Sequence, residues 1–313
     1  MTAPLLSFDS SGIQHAWDAT CVSAFEKCPR YYQLAYLEGW KPETVSHHLV
    51  FGGVYASALE QFHKLVSQGQ SRDEATYAVV RLALIETWEH DRDEDGNRVP
   101  NTGEPWISLD DKKNRETLIR TIVWYLDEFT EDPITPIILD TGEAAAEFSF
   151  SLPLDDDILY CGHMDLPVNY ANQPYVMDQK TTAGNVGSYY FNQFCPDVQM
   201  GGYTWAGRQI FGIPVKGVII DVAQIAVGFS RFTRGFVHYS EPLLAEWYTE
   251  TLATIHTARE ATDAGEFRMN RASCGNYGGC EFRKVCSRAP QHRDGILRAE
   301  FKQGKRWDPL ERR

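Results

Sequence analysis

The sequence predicts an α/β fold: a mixed sheet flanked by helices, preceded by a helical N-terminal region and followed by a cysteine cluster segment. Three observations predict it. Helical periodicity dominates the first 135 residues, and near Glu143 it gives way to short strand-like runs separated by turn residues. Three cysteines then gather close to the C-terminal end, from Cys274 to Cys286. The corresponding segments are 1–135 (helical), 136–265 (the sheet-bearing core) and 266–313 (cysteines and basic tail), built into one integrated domain. A chain of 313 residues with 43% hydrophobic content can bury a core of that size.

Taken in order, residues 1–18 are irregular. Thr20 to Leu37 read as a helix, with Thr20 or Ser23 as N-cap and Glu26 in capping-box spacing from Ser23. Phe51–Val66, Arg72–His90 and Lys112–Thr130 carry helical periodicity, and the polar stretch Asp91–Pro105 separates the last two as a loop. Strands follow in "AAAEFSFSL", "ILYCGHMDLPV" and "PYVMDQKTT", split by the turn material "PLDDD" and "YANQ". A helix is expected from Pro196 to Phe211, with proline in the first turn where it is tolerated. "KGVIIDVAQIAV" and "RFTRGFVHY" give two more strands, and Glu241–Ala264 a further helix. The core order is thus β-β-β-α-β-β-α.

Composition narrows the function. No apolar run approaches the roughly 20 residues of a spanning helix, and no opening segment has the pattern of a secretion signal. A soluble, cytoplasmic protein without a membrane partner is expected. The net charge of −13 opposes phosphate binding, yet Glu281–Arg313 holds ten Lys and Arg against five Asp and Glu. That basic tail is either a local DNA-binding surface or simply a solvated terminus.

Asp178 and Lys180 end a strand, and side chains two apart share one face of it. Other acid-x-Lys triplets, Asp110–Lys112, Asp111–Lys113 and Glu300–Lys302, sit in polar segments where charge needs no explanation. A turn centred near Asn172 would fold Asp165 back beside Asp178, about 5 Å away across the ladder. Two carboxylates that close raise each other's pKa unless a cation lies between them, and oxygen ligands suit Mg²⁺ or Mn²⁺. The alternative is a strand-end ion pair with Asp165 capping a turn.

"GHMD", "VMDQKTT" and "DVQMGGY", in that order, resemble the signature of the PD-(D/E)XK nuclease superfamily in its RecB-like branch, which includes exonucleases of phages and of CRISPR adaptation loci. The resemblance extends from "EKCPRYYQLAYLEGW" to "CGNYGGCEFRKVC" and implies a restriction-endonuclease-like sheet. It implies that Asp165 and Asp178 bind metal, that the Gln179 carbonyl is a further ligand, and that Lys180 is catalytic. Gln199 and Tyr203, one helical turn apart, match a pair bordering the active site. Glu147 on the first strand is a further candidate metal ligand. Relatives often carry a metal-binding histidine where this chain has Ala56, before Leu59 and Glu60; His63 lies about 10 Å further along the helix and is a poor substitute.

Cys274, Cys280 and Cys286 are three thiolates, one short of a tetrahedral or cubane set. Relatives with a [4Fe-4S] cluster supply the fourth from the position of Cys28, while Cys21 is a less favoured alternative. The spacing C-x5-C-x5-C is wider than the C-x2-C-x5-C of such relatives, and Zn²⁺ is the competing ion. Cys161 and Cys195 read as packed thiols. The implied activity is Mg²⁺- or Mn²⁺-dependent exonucleolytic hydrolysis of DNA, single-stranded or with free ends, and by analogy a role in phage recombination or DNA degradation. The alternatives are a cleavage-impaired DNA-binding or assembly protein that keeps the fold, and an RNA-processing enzyme.

Overall fold

Proline and side-chain caps decide where the first helices start and stop. In the computed structural model, which describes residues 6–43, 46–88, 91–92, 98–99, 105–211 and 214–311, the expected helix from Thr20 to Leu37 is divided. Its first part begins at Ala19 because Asp18, rather than Thr20 or Ser23, accepts the Cys21 N–H. Cys28 is extended (φ −170°, ψ 115°), as expected of a residue before proline, and so breaks the helix.

The chain runs β1 (Ala16–Trp17), α1 (Ala19–Lys27), α2 (Pro29–Tyr32), a π turn (Gln33–Leu37), β2 (Trp40–Pro42), α3 (His47–Ser67) and α4 (Arg72–Glu86). Next come β3 (Asp91–Arg92), β4 (Arg98–Val99), α5 (Arg115–Glu128), β5 (Thr135–Pro136), β6 (Phe148–Asp155), β7 (Ile158–Met164), β8 (Leu166–Tyr170) and β9 (Gln173–Thr182). A 3₁₀ segment (Ser188–Phe194), α6 (Val198–Phe211), β10 (Gly217–Ile225), β11 (Ser230–His238) and α7 (Glu241–Ala264) follow. A second 3₁₀ segment (Arg271–Gly278), α8 (Arg283–Cys286), α9 (Pro290–Glu300) and β12 (Phe301–Gln303) complete it. Of the stretch read as a loop, Asp91–Pro105, residues 93–97 and 100–104 lie outside the described residues.

Two compact units emerge. The first combines Val45–Phe148 with Met164–Tyr239. Its five-stranded sheet has the order β11-β10-β9-β8-β5; β9 and β10 are parallel and every other pair is antiparallel. The parallel pair is possible because α6 carries the chain from one strand to the other. Ser46, Ser71 and Asn114 cap α3, α4 and α5. Helix α5 starts at Arg115, later than Lys112, because Asp110 Oδ1 accepts the N–H groups of Lys112 (2.8 Å) and Lys113 (2.7 Å) in the preceding turn.

These three helices bury Phe51, Tyr55, Leu59, Leu118 and Ile122 against Ala223 and Ile225 of β10. On the same face Asp221 is 2% exposed and is held by Tyr125 Oη and by Arg234, whose guanidinium also reaches both oxygens of Asp132 at 2.8 and 2.7 Å. A second cluster packs Leu166, Val168, Tyr175, Met177 and Ile219.

The other unit comprises Met1–Thr44, Ser149–His163 and Ser240–Arg313. It contains a three-stranded sheet of order β1-β7-β6, the antiparallel pair β2–β12, and an apolar cluster of Leu34, Trp40, Phe282, Val285, Leu297 and Phe301. The chain is thus a mixed α/β fold with helices and mixed sheets. Among the described residues no helix is long and apolar enough to cross a membrane.

Candidate functional site

A two-residue turn sets the site's register. Ala171 (φ 49°) and Asn172 (φ 61°) both adopt the left-handed conformation of a type I′ hairpin, which joins β8 to β9 with Tyr170 opposite Gln173 and Leu166 opposite Met177. Asp165, just beyond the last pair of that ladder, lies close enough to Asp178 for the two carboxylate charges to act on each other. The run "ILYCGHMDLPV", expected as one strand, is two, and Asp165 occupies the bend between β7 and β8. The bend is held from both sides: the Asp165 carbonyl accepts the Glu147 N–H at 2.8 Å, and its Oδ2 accepts the Gln179 N–H at 2.8 Å.

Asp178 is fully buried. Lys180 Nζ donates to its Oδ1 at 3.0 Å and lies 2.7 Å from its Oδ2. Hydrogen-bond geometry is met only at Oδ1, so the buried Oδ2 keeps its lone pairs without a hydrogen-bond donor. Lys180 Nζ also donates to Gln199 Oε1 at 3.3 Å, and Gln199 Nε2 donates to Tyr203 Oη at 2.9 Å. A relay therefore runs from carboxylate to ammonium to amide to phenol. Helix α6 starts at Val198, two residues later than expected, where the Asp197 carboxylate accepts the Met200 N–H at 2.9 Å.

The electrostatics follow from burial and crowding. Burial, then the Asp178 charge, push the Asp165 carboxyl up to about 7 against the pull of Lys180. Asp178 is also raised, by burial that outweighs Lys180. Burial would lower Lys180, but the Asp178 and Asp165 charges reverse that and hold it above the ordinary lysine value. An anionic pair this poorly solvated suits a divalent cation, and the donor set of carboxylate oxygens with unclaimed lone pairs fits Mg²⁺ or Mn²⁺.

Glu147 does not lie in a strand as expected. It immediately precedes β6 with φ 50°, a left-handed backbone costing about 1 kcal/mol in a residue with a Cβ. Its charge acts on Asp165. Ala56 sits in α3, and His63 is on the same helix, lining a cavity of about 240 Å³ with Phe62, Arg72, Tyr125, Phe129 and Asp132. Its Nε2 is buried without a hydrogen-bond partner, and burial depresses its pKa to about 4.

Sequence reasoning passes over a second donor group. His47 Nε2 lies 3.3 Å from Asp110 Oδ2, the His47 and His48 rings are 4.0 Å apart, and one donor atom from each of the three residues falls within 4.8 Å of the others. The available signal is the His-His pair at a helix start, beyond the triplets that drew attention to Asp110. Burial, then the His47 charge and the Lys113 ammonium, lower the His48 pKa against the pull of Asp110.

In the other unit Cys28, Cys274, Cys280 and Cys286 line one recess with Lys27, Tyr31 and Phe282. The Asn270 N–H points to Cys28 Sγ at 3.3 Å, and the Cys280 N–H donates to the Cys274 carbonyl at 3.1 Å. Among the described residues no three of these sulfurs fall within 4.8 Å of one another, whereas a zinc tetrahedron needs separations of about 3.8 Å. Cys21 and Cys161 are buried away from this recess, and Cys195 is partly buried.

One solved structure that matches is an inferred exonuclease from Eubacterium rectale, 12% identical, covering 88% of this chain and 89% of its own, with a TM-score of 0.50. That likeness is one of fold. A second, SSO0001, is 10% identical over 66% of this chain and 84% of its own, and its TM-score of 0.26 carries no argument. No curated protein sequence matches. The sequence profile of the PD-(D/E)XK nuclease superfamily matches residues 16–287, most of the chain, and the protein belongs to that superfamily.

Proposed function

We propose that this nuclease is a Mg²⁺- or Mn²⁺-dependent DNA exonuclease of the RecB-like branch, acting on free ends and preferring single strands. Nucleases of this superfamily generally use those ions. The observation that carries the reading is buried Asp178 in an ion pair with Lys180, with the Asp165 carboxylate held by the Gln179 N–H and close enough for the two carboxylate charges to act on each other. A divalent ion held by the two carboxylates would polarise the scissile phosphate and acidify a bound water. Lys180 is placed to stabilise charge developing on the phosphate or to orient the water, and Gln199, anchored by Tyr203, fixes the ammonium. Glu147 and the Gln179 carbonyl are further candidate ligands. The four cysteines, which line one recess, are proposed to hold a [4Fe-4S] cluster, with Zn²⁺ as the alternative.

The test is incubation of labelled single-stranded DNA with Mn²⁺ and either wild-type protein or Asp178→Ala. Digestion that the substitution abolishes is expected. A second reading, a DNA-binding or assembly protein that cleaves poorly, is favoured by Ala56 at the position of the family's histidine; tight binding without digestion would establish it. Preference for RNA in the same assay would instead indicate an RNA-processing enzyme. A brown sample whose absorbance bleaches with dithionite is expected of the cluster, and a colourless, zinc-containing one would refute it.

A further inference from the structure

We infer that the rim beside Lys180 is a stacking and phosphate-contact surface for unpaired nucleotides, with Tyr189 as the stacking ring and Arg231 as the phosphate contact. This rests on the nuclease reading above and names the residues that select a single strand. Three arrangements on the sheet carry it.

The first is the 3₁₀ segment "SYYFNQF". Phe191 packs on Gly235 of β11, so closely that any Cβ at Gly235 would collide with the ring. Tyr190 stacks edge-on against Phe191 and contacts Phe194, and its phenol lies near enough to Lys180 and Asp178 to feel both charges. The segment is therefore anchored on the site's own face of the sheet. Tyr189, the residue between this anchor and Ser188, is 86% exposed. An aromatic ring this exposed, next in sequence to a tyrosine that feels the charges of Lys180 and Asp178, has no role in the core.

The second is the strand register. Lys180 pairs with Val222, and Val222 with Thr233, so Thr233 and Arg231 lie on the face that carries Asp178 and Lys180. Thr233 is two strands from Lys180, about 10 Å across the sheet, and Arg231 is about 7 Å further along β11. Arg231 is exposed and sits 5.3 Å over the Phe229 ring, and Phe229 is itself 42% exposed.

The third is rigidity. Arg120 donates to the carbonyls of Val227 and Ala226 at 2.6 Å and of Phe229 at 3.1 Å, which locks the β10–β11 turn carrying these side chains. Exposed rings alternating with a cation, on fixed backbone, are what single-strand binding requires: every base offers a π face, and only unpaired bases expose it. A duplex end offers the cation a phosphate but gives Tyr189 no free base.

Fluorescence anisotropy with a labelled single-stranded oligonucleotide, full-length protein and no added divalent ion tests the inference without cleavage. Tyr189→Ala should weaken binding by about 5- to 100-fold and Tyr189→Phe by less than about 3-fold, while binding of a blunt duplex is unchanged by either. Arg231→Ala should weaken both ligands and reduce the salt dependence by about one counterion, which Tyr189→Ala should leave intact. Wild-type affinity in Tyr189→Ala, or equal defects in the Ala and Phe variants, would overturn the inference while DNA digestion by the wild type still upheld the nuclease reading. A wild-type protein that neither binds nor digests DNA would overturn both.

Discussion

Replacing Lys180 by methionine exposes what the ammonium does for the two carboxylates. Opposite unit charges 2.7 Å apart attract by about 6 kcal/mol at an effective dielectric near 20. The Lys180 side chain is 31% exposed, so screening and regained hydration reduce the net loss to about 3 kcal/mol. Over 313 residues that corresponds to a fall of about 5 °C in Tm. The sign with pH follows from the raised carboxylates. Asp165 and Asp178 already sit above their unfolded values and rise further without the ammonium, so folding loses stability as pH climbs from the unfolded value toward the folded one. Acidification to about pH 5 should therefore narrow the gap between Lys180→Met and wild type. Mn²⁺, a replacement cation, should raise the Tm of the variant more than that of the wild type. Thermal melts by circular dichroism, with and without Mn²⁺ at near-neutral and mildly acidic pH, read all three effects. Identical melting of variant and wild type near neutrality, with no extra response to Mn²⁺, would refute the reasoning.

Tyr203→Phe removes the oxygen that receives the Gln199 amide, and up to about a tenfold loss in kcat with little change in KM is expected from steady-state digestion. Arg234→Met strands Asp221 and Asp132 and should lower unfolding free energy by about 3–5 kcal/mol in urea titrations, with Arg234→Lys recovering part of it. His63, held near a pKa of 4 mainly by burial, binds its proton more readily when unfolded. Its contribution is complete above about pH 6.5 and is lost as pH falls toward 4, by about 3 kcal/mol in all, so His63→Gln should flatten the stability–pH curve there.

The strand-end Asp-x-Lys and the Asn172 turn were legible because period-two alternation and left-handed turn residues are local properties. The class of fold was legible for the same reason. The bend at Asp165 was not: it depends on hydrogen bonds from Gln179 and from Glu147, which the sequence does not place nearby. The break at Cys28 was readable from Pro29 but was outweighed by helical periodicity on either side. Asp221, Arg234 and Asp132 escaped notice because their pairing spans 102 residues between Asp132 and Arg234, and a buried charge on an apolar strand looks like an exposed one until its partners are known. His47, His48 and Asp110 likewise converge only through tertiary packing.

The most direct measurement is anomalous diffraction at the manganese edge from crystals grown with Mn²⁺. The account predicts an ion between the carboxylates of Asp165 and Asp178, beside Lys180. An ordered ion held only by His47, His48 and Asp110, with none between the paired aspartates, would contradict it.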